Sequence, residues 1–422
     1  MNEVAYIILY SFFFVVLNIY PHIIRKKFSE KFFNSLAKSC VIISIFILVY
    51  SYLGLDLKYL IAAILILFLV NLVFLIIDWK KNYLVFGKII LFTLILIILS
   101  INIASDAKIG WDAQNIWFPK ALNFIEGENI YNLSTLPRSD YPYFGSYMWA
   151  VFSKISFYKH EYFGRIFYAF LFCIALFSLI EKINLKEEFK FLLLSIILLI
   201  LLSKNLFNGY QEVLVFSYAI ILSIIAIDLI ESKKKLDYLL LMCVSFVLFW
   251  IKNEAFIFTI SFLFILTFYL NCKIKYKIIY ILSLFFLILL KYFLFNLFDF
   301  NLNLQQGNYN QLELNTIISK FSLERVWKIL FYLLVGFVKN PFSFIILISA
   351  IPFLIKFKRK NIVSLFIINF CLSLIIIFIA YALTSFTLTI HLKTSVDRLI
   401  FEIMGFGMII FVYFVNSFIK KN

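Results

Sequence analysis

Residues 104–142 read ASDAKIGWDAQNIWFPKALNFIEGENIYNLSTLPRSDYP, a polar island in an oily chain. Asp106, Asp112, Glu126, Glu128 and Asp140 stand in it with Lys108, Lys120 and Arg138, between long Ile, Leu and Phe runs. The 422 residues are 64% hydrophobic and only 15% charged, with a mean hydropathy of +0.99. Soluble domains sit near 45–50% and 25% on the same measures. Working outward from the island, thirteen segments fit a membrane span: 4–20, 36–55, 59–77, 84–103, 160–180, 187–204, 209–230, 236–251, 254–271, 276–298, 341–357, 361–383 and 398–418. A hydrocarbon core of about 30 Å needs about 20 helical residues, so the shorter segments must borrow interfacial residues. The sequence predicts an all-α, polytopic transmembrane helical protein of about 13 spans, with juxtamembrane helices in its first large external loop.

Charge sets the topology. Residues 142–158, PYFGSYMWAVFSKISFY, either cross the membrane or lie along it. With Arg25, Lys26, Lys27, Lys31 and Lys38 in the cytoplasm, the N-terminus and the island fall outside. If 142–158 does not cross, then Lys182, Lys186 and Lys190, the Lys233–235 run, Lys273, Lys275 and Lys277, the 356–360 cluster and Lys420 and Lys421 all fall inside. If it crosses, all of them flip outward, against the positive-inside rule. Residues 142–158 are therefore expected to be a juxtamembrane helix, and 322–338 likewise. The expected protein sits in the cytoplasmic (inner) membrane, multi-pass, with its N-terminus outside and its C-terminus cytoplasmic. Residues 1–83 are expected to be transmembrane scaffold. Residues 84–418 form the core, with external loops 104–159 and 299–340.

The formal charge of +16 does not point to nucleic acid, because the basic residues sit in short loops and no compact nucleic-acid module is present. The five cysteines follow neither metal nor disulfide spacing and read as small buried hydrophobes. The N-terminal apolar run lacks a basic region before it and reads as a span, not a removable signal.

This topology gathers the unusual polar residues outside: Trp111 and Asp112, Asp140, Tyr210 and Glu212, the Lys252-Asn253-Glu254 turn, and His391, Lys393 and Arg398. Ionisable groups at span ends are costly unless they serve ligands or pairing. Asp112 has the chemistry of a general base or an acceptor-orienting group, or of a helix N-cap. Asp140, just before Tyr141-Pro142, is either a site acid or a cap for the following helix. Glu212 needs a partner such as Lys252 or Lys204, or a substrate hydroxyl. Lys252 and Arg398 lie at the depth of a lipid phosphate, which Arg grips with a rigid fork and Lys with a point charge; snorkelling is the plainer account. His391, with no second His or Cys nearby, suits hydrogen bonding better than metal binding.

These elements resemble a family. Trp111-Asp112-Ala113 followed by Ile116-Trp117-Phe118-Pro119-Lys120-Ala121, then Asp140-Tyr141-Pro142, Gly209-Tyr210-Gln211-Glu212, Lys252-Asn253-Glu254, and His391, Ser395 and Arg398 are similar in order to bacterial polytopic glycosyltransferases of the C superfamily. That group includes protein O-mannosyltransferases and lipid A aminoarabinose transferases. The likeness is nearest to uncharacterised members with the WDA..IW.PKA motif and covers residues 84–418. It implies an external active site and an isoprenoid-phosphate or -pyrophosphate sugar donor. It also implies a glycan, lipid or protein acceptor and a central role for Asp112. Two departures blur the acceptor: the acid is Glu212 where many relatives have Asp, and Arg138-Ser139 precedes Asp140 where relatives often have His-Pro.

An envelope polysaccharide polymerase or ligase shares this logic, but usually carries its long external loop late in the chain. A flippase or secondary transporter usually shows inverted repeats and Gly- or Pro-broken helices, which are not evident here. No obligate cofactor or metal is expected. A divalent cation on Asp112 and Glu212 is the alternative.

Overall fold

The computed structural model describes residues 3–19, 32–77, 83–106, 108–157, 160–202, 206–300, 322–355, 362–384 and 387–419. Among the described residues the fold is all helical, with no strand. The α-helices are α1 (Glu3–Leu17), α2 (Phe32–Tyr52), α3 (Leu57–Ile77), α4 (Tyr83–Ser105), α5 (Phe118–Ile125), α6 (Phe144–Ile155), α7 (Tyr162–Glu181), α8 (Glu187–Leu202), α9 (Glu212–Ser232), α10 (Lys235–Phe249), α11 (Asn253–Tyr269), α12 (Ile274–Leu297), α13 (Leu323–Lys339), α14 (Pro341–Ile355), α15 (Ile362–Leu383) and α16 (Leu388–Ile419). Among the described residues eight helices are long and apolar enough to cross a membrane, or nine if the bent pair α13–α14 is one span. Length and composition fit a multi-pass membrane protein. The thirteen expected spans exceed that number because segments such as α10 and α11 are only 15 and 17 residues long, about 22–26 Å at 1.5 Å per residue.

The core forms around α16 and α9. Helix α16 packs on α9, α13, α14 and α15, and α9 packs on α7 and α10. At Gly405 a Cβ would meet the Phe216 carbonyl oxygen at 2.5 Å, so glycine is what lets these two helices approach, as small residues do in membrane bundles. Phe216 and Phe401 stack one turn away, at 4.6 Å. Around this centre, α3, α12 and α13 expose large apolar side chains such as Ile66, Ile76, Leu282, Phe286 and Phe331. An outer surface of that kind is suited to lipid.

The bundle has two polar ends. At one, Lys38 meets Asp228 at 2.8 Å and Asp237 at 2.6 Å, Lys182 pairs with Asp228, and Glu181 accepts the Asn34 amide at 2.8 Å. Asn416, near the end of α16, donates to the Lys182 carbonyl at 3.0 Å. At the other end lie Glu212, Lys252 and Arg398. Helix α9 runs between them from Glu212 past Asp228 over 21 residues, about 31 Å, a membrane's apolar thickness.

Helix α6, expected as a juxtamembrane helix over 142–158, is enclosed by protein. At 12 residues, about 18 Å, it is too short to cross. Yet Phe144 to Phe152 are all buried, with the Phe144 amide on the Trp250 carbonyl at 2.9 Å. Its aromatic residues are protein core, not an interfacial belt. Helices α13 and α14 meet at 99°, where Pro341 opens α14, a position that suits its missing N–H.

Candidate active site

The segment after α4 is fastened before it forms the site. Arg165, 1% exposed on α7, bonds Glu161 at 2.6 Å and donates to the carbonyls of Phe207, at 2.8 Å, and Lys108. The Gly110 amide donates to the Asn208 carbonyl at 2.9 Å. The chain then coils into a π-helical turn, Ala113–Trp117, directly behind Asp112. Pro119 explains the widening: it has no N–H and its ring crowds the carbonyl four residues back. Such turns are frequent at functional sites. Asp112 makes no capping hydrogen bond; its carboxylate instead accepts from Arg398.

From there a chain of charges runs inward: Asp112, Arg398, Glu212, Lys252, Glu402. Arg398 approaches Glu212 at 3.4 Å, and Lys252 Nζ lies 3.0 Å from Glu212 and 2.6 Å from Glu402. Side-chain exposure falls along it from 24% at Asp112 to 8% at Glu212 and 0% at Glu402. Of the partners expected for Glu212, Lys252 takes one carboxylate oxygen; Lys204 lies outside the described residues. Lys252 is likewise committed to two carboxylates. One oxygen each of Glu212, Glu254 and Glu402 is buried with no hydrogen-bond partner among the described residues, an arrangement costly to leave dry.

Trp111, Asp112, Arg138, Tyr141, Glu212, Lys252, Glu254, His391 and Arg398 line one cavity of about 620 Å³. Trp111 is 70% exposed and offers a broad flat face. His391 is anchored by Thr384, whose Oγ1 lies 3.1 Å from its Nδ1, and by the edge of Tyr381. Tyr210 lies under Arg398, the guanidinium 4.9 Å from the ring centre. Tyr210 and Lys393 line a second cavity of about 320 Å³, which shares Glu212, Thr394 and Arg398 with the first. Asp140 and Asn253 stand beside the larger cavity: Asn253 donates to the Asp140 carbonyl at 3.2 Å, and the Asp140 carboxylate faces Arg138 at 3.3 Å. Asp140 does not cap α6, whose N-cap is Tyr143.

Three contributors escaped the sequence reading. Glu402 follows Arg398 by four residues inside an apolar helix, and an ionisable group there is itself a signal. Arg138, read only as a departure from a family pattern, lines the cavity and stacks on Tyr141 at 4.6 Å. Lys120, 1% exposed, donates to the carbonyls of Arg138 at 2.8 Å and Tyr141 at 2.6 Å, fixing the loop that carries both. Burial pulls the Lys120 ammonium down to about 7.

Among the described residues no group of three or more His, Cys, Asp and Glu side chains is arranged to hold a metal ion. No family model, no curated protein and no solved structure matches the chain.

Proposed function

We propose that the chain is a membrane glycosyltransferase. It moves a sugar from an isoprenoid-phosphate or -pyrophosphate donor to a cell-envelope acceptor at the external face of the cytoplasmic membrane. The observation that carries this is convergence. Five segments far apart in sequence, around Asp112, Tyr141, Glu212, Lys252 and Arg398, share one cavity at one end of an apolar bundle. A phosphate-bearing lipid headgroup and an acceptor hydroxyl can both reach such a place. The chain crosses thirteen times in this account, and the Lys38–Asp228 end faces the cytoplasm. The lysine excess of that end supports the orientation.

In the reaction the acceptor oxygen attacks the anomeric carbon from the face opposite the phosphate. The carbon–oxygen bond to phosphate breaks with inversion, and the acceptor proton passes to Asp112. Arg398 holds the Asp112 carboxylate in place. Arg138 lines the cavity with its side chain 43% exposed and, among the described residues, pairs only with the half-buried Asp140, at 3.3 Å, so it is assigned to the departing phosphate ahead of Lys252, which is held between two deeply buried carboxylates. Preorganised cations can supply this stabilisation without metal.

The test offers membranes carrying the protein a panel of labelled isoprenoid-phosphate and -pyrophosphate sugars and resolves products by mass. Transfer of label with release of the lipid phosphate is expected. No turnover with any donor, alongside measurable lipid or solute translocation, would move the protein to the transporter class.

A further inference from the structure

The end of the bundle remote from this cavity holds a second built feature. Helix α9 ends at Ser232, the chain reverses through Lys233 and Lys234, and α10 begins at Lys235. Beside this turn lies the link between α11 and α12, which contains Lys273. A cavity of about 500 Å³ opens between the two links. Its walls are apolar and aromatic, including Leu229, Leu270, Tyr276 and Tyr280. Lys233, Lys234, Lys235 and Lys273 are exposed at its mouth.

Charge at this end is unevenly spent. Asp228 and Asp237 are occupied by Lys38 and Lys182. The four mouth lysines have no carboxylate within ion-pair distance among the described residues, and the nearby exposed Glu231 lines a different cavity. Lys233 also holds a left-handed backbone, φ 53°, which glycine adopts freely and a lysine only at a cost. Below the mouth, α12 turns Ile278, Ile281, Leu282 and Phe285 outward, all exposed, so the cavity adjoins the surface suited to lipid tails.

The geometry points to a binding site for an anionic phospholipid of the leaflet at this end. The headgroup phosphate lies among Lys233, Lys234, Lys235 and Lys273, and the acyl chains descend past Tyr276 along α12. Charge complementarity selects this occupant: a zwitterionic lipid leaves the lysines uncompensated, and a soluble phosphate leaves the apolar walls empty. Basic recesses between membrane helices recognise acidic headgroups in this way.

The test uses full-length protein stripped of lipid in a neutral detergent. Thermal unfolding is followed as phosphatidylglycerol, phosphatidylcholine or free glycerol phosphate is added. Phosphatidylglycerol alone should raise the midpoint saturably. A lysine close to an anionic lipid surface contributes about five-fold in affinity, so the triple variant K233Q/K234Q/K273Q should bind about a hundred-fold more weakly. Lys186→Gln, on the α7–α8 link, should bind as wild type does. Equal protection by phosphatidylcholine, protection by glycerol phosphate, or equal losses in K186Q and K233Q would each overturn the assignment. The variants exchange exposed side chains for similar uncharged stems, and an unchanged lipid-free midpoint verifies that they fold.

Discussion

Lys252 offers the sharpest probe of the inner charges. It stands 3.0 Å from Glu212 and 2.6 Å from Glu402, and none of the three side chains is more than 8% exposed. Lys252→Met keeps the stem and removes the cation. Arg398 still reaches Glu212 at 3.4 Å, but Glu402 has no other partner among the described residues. Removing one partner of a buried ion pair typically costs about 3–5 kcal/mol, because the group left behind loses its partner where water cannot replace it. Glu402→Gln alone leaves Lys252 with Glu212 and should cost about 1.5–3 kcal/mol, the worth of a charged hydrogen bond. The double variant removes the stranded carboxyl together with the lost cation. It should therefore be more stable than K252M and fall short of the additive loss by at least about 1 kcal/mol. Reversible unfolding titrations in mixed detergent micelles measure all four proteins. A K252M loss below about 1 kcal/mol, or strict additivity in the double variant, would refute the buried pairing.

Three further outcomes are expected. Burial lowers Lys120 to about 7 from an ordinary 10.5, so above pH 7 the unfolded chain holds a proton that the folded chain lacks, and the Lys120 contribution to stability rises with pH up to about 10.5. The stability of wild type relative to Lys120→Met should accordingly climb by about 1 kcal/mol per pH unit across that window, and a flat or falling difference contradicts the burial of the ammonium. Gly110→Ala puts a Cβ 2.5 Å from the Tyr210 ring; it should cost about 1–3 kcal/mol and reduce turnover by moving Tyr210 from under Arg398, whereas an unchanged midpoint and rate would show that contact to be dispensable. Arg138→Gln should raise the apparent KM for the lipid-linked donor several-fold with little change in unfolding midpoint, since the side chain is 43% exposed, and an unaltered KM would remove it from phosphate binding.

The helical membrane class was legible in composition: runs such as 57–77 are long and apolar enough to cross a membrane. The convergence of Asp112, Glu212, Lys252 and Arg398 was legible through loop charge, which sorted all four to one side before any contact was known. The burial of α6 was not. PYFGSYMWAVF has the composition of an interfacial helix, and only the packing of α5 and α7 around it decides that its aromatics face protein. Glu402 was hidden by the same apolar context that makes it notable, because a single acid barely alters a hydropathy window. The engagement of Lys252 was invisible for a related reason: sequence places a cation at a depth but does not count the carboxylates that reach it. Residues 301–321, the Asn- and Gln-rich part of the second loop expected to be external, lie outside the described residues.

The central claim is that the Asp112 carboxylate takes or orients the acceptor proton. Asp112→Asn keeps the side chain's size and removes its charge. Asp112 is 24% exposed, so the lost ion pair with Arg398 should cost only about 1 kcal/mol or less, and folding should survive. General-base assistance typically contributes about 10²–10⁴-fold in rate. The decisive measurement is turnover of the labelled isoprenoid-linked sugar by wild-type and D112N proteins, matched for membrane insertion and unfolding midpoint. The account predicts a rate at least about a hundred-fold lower for D112N with donor binding retained. Equal turnover by the two proteins would contradict it.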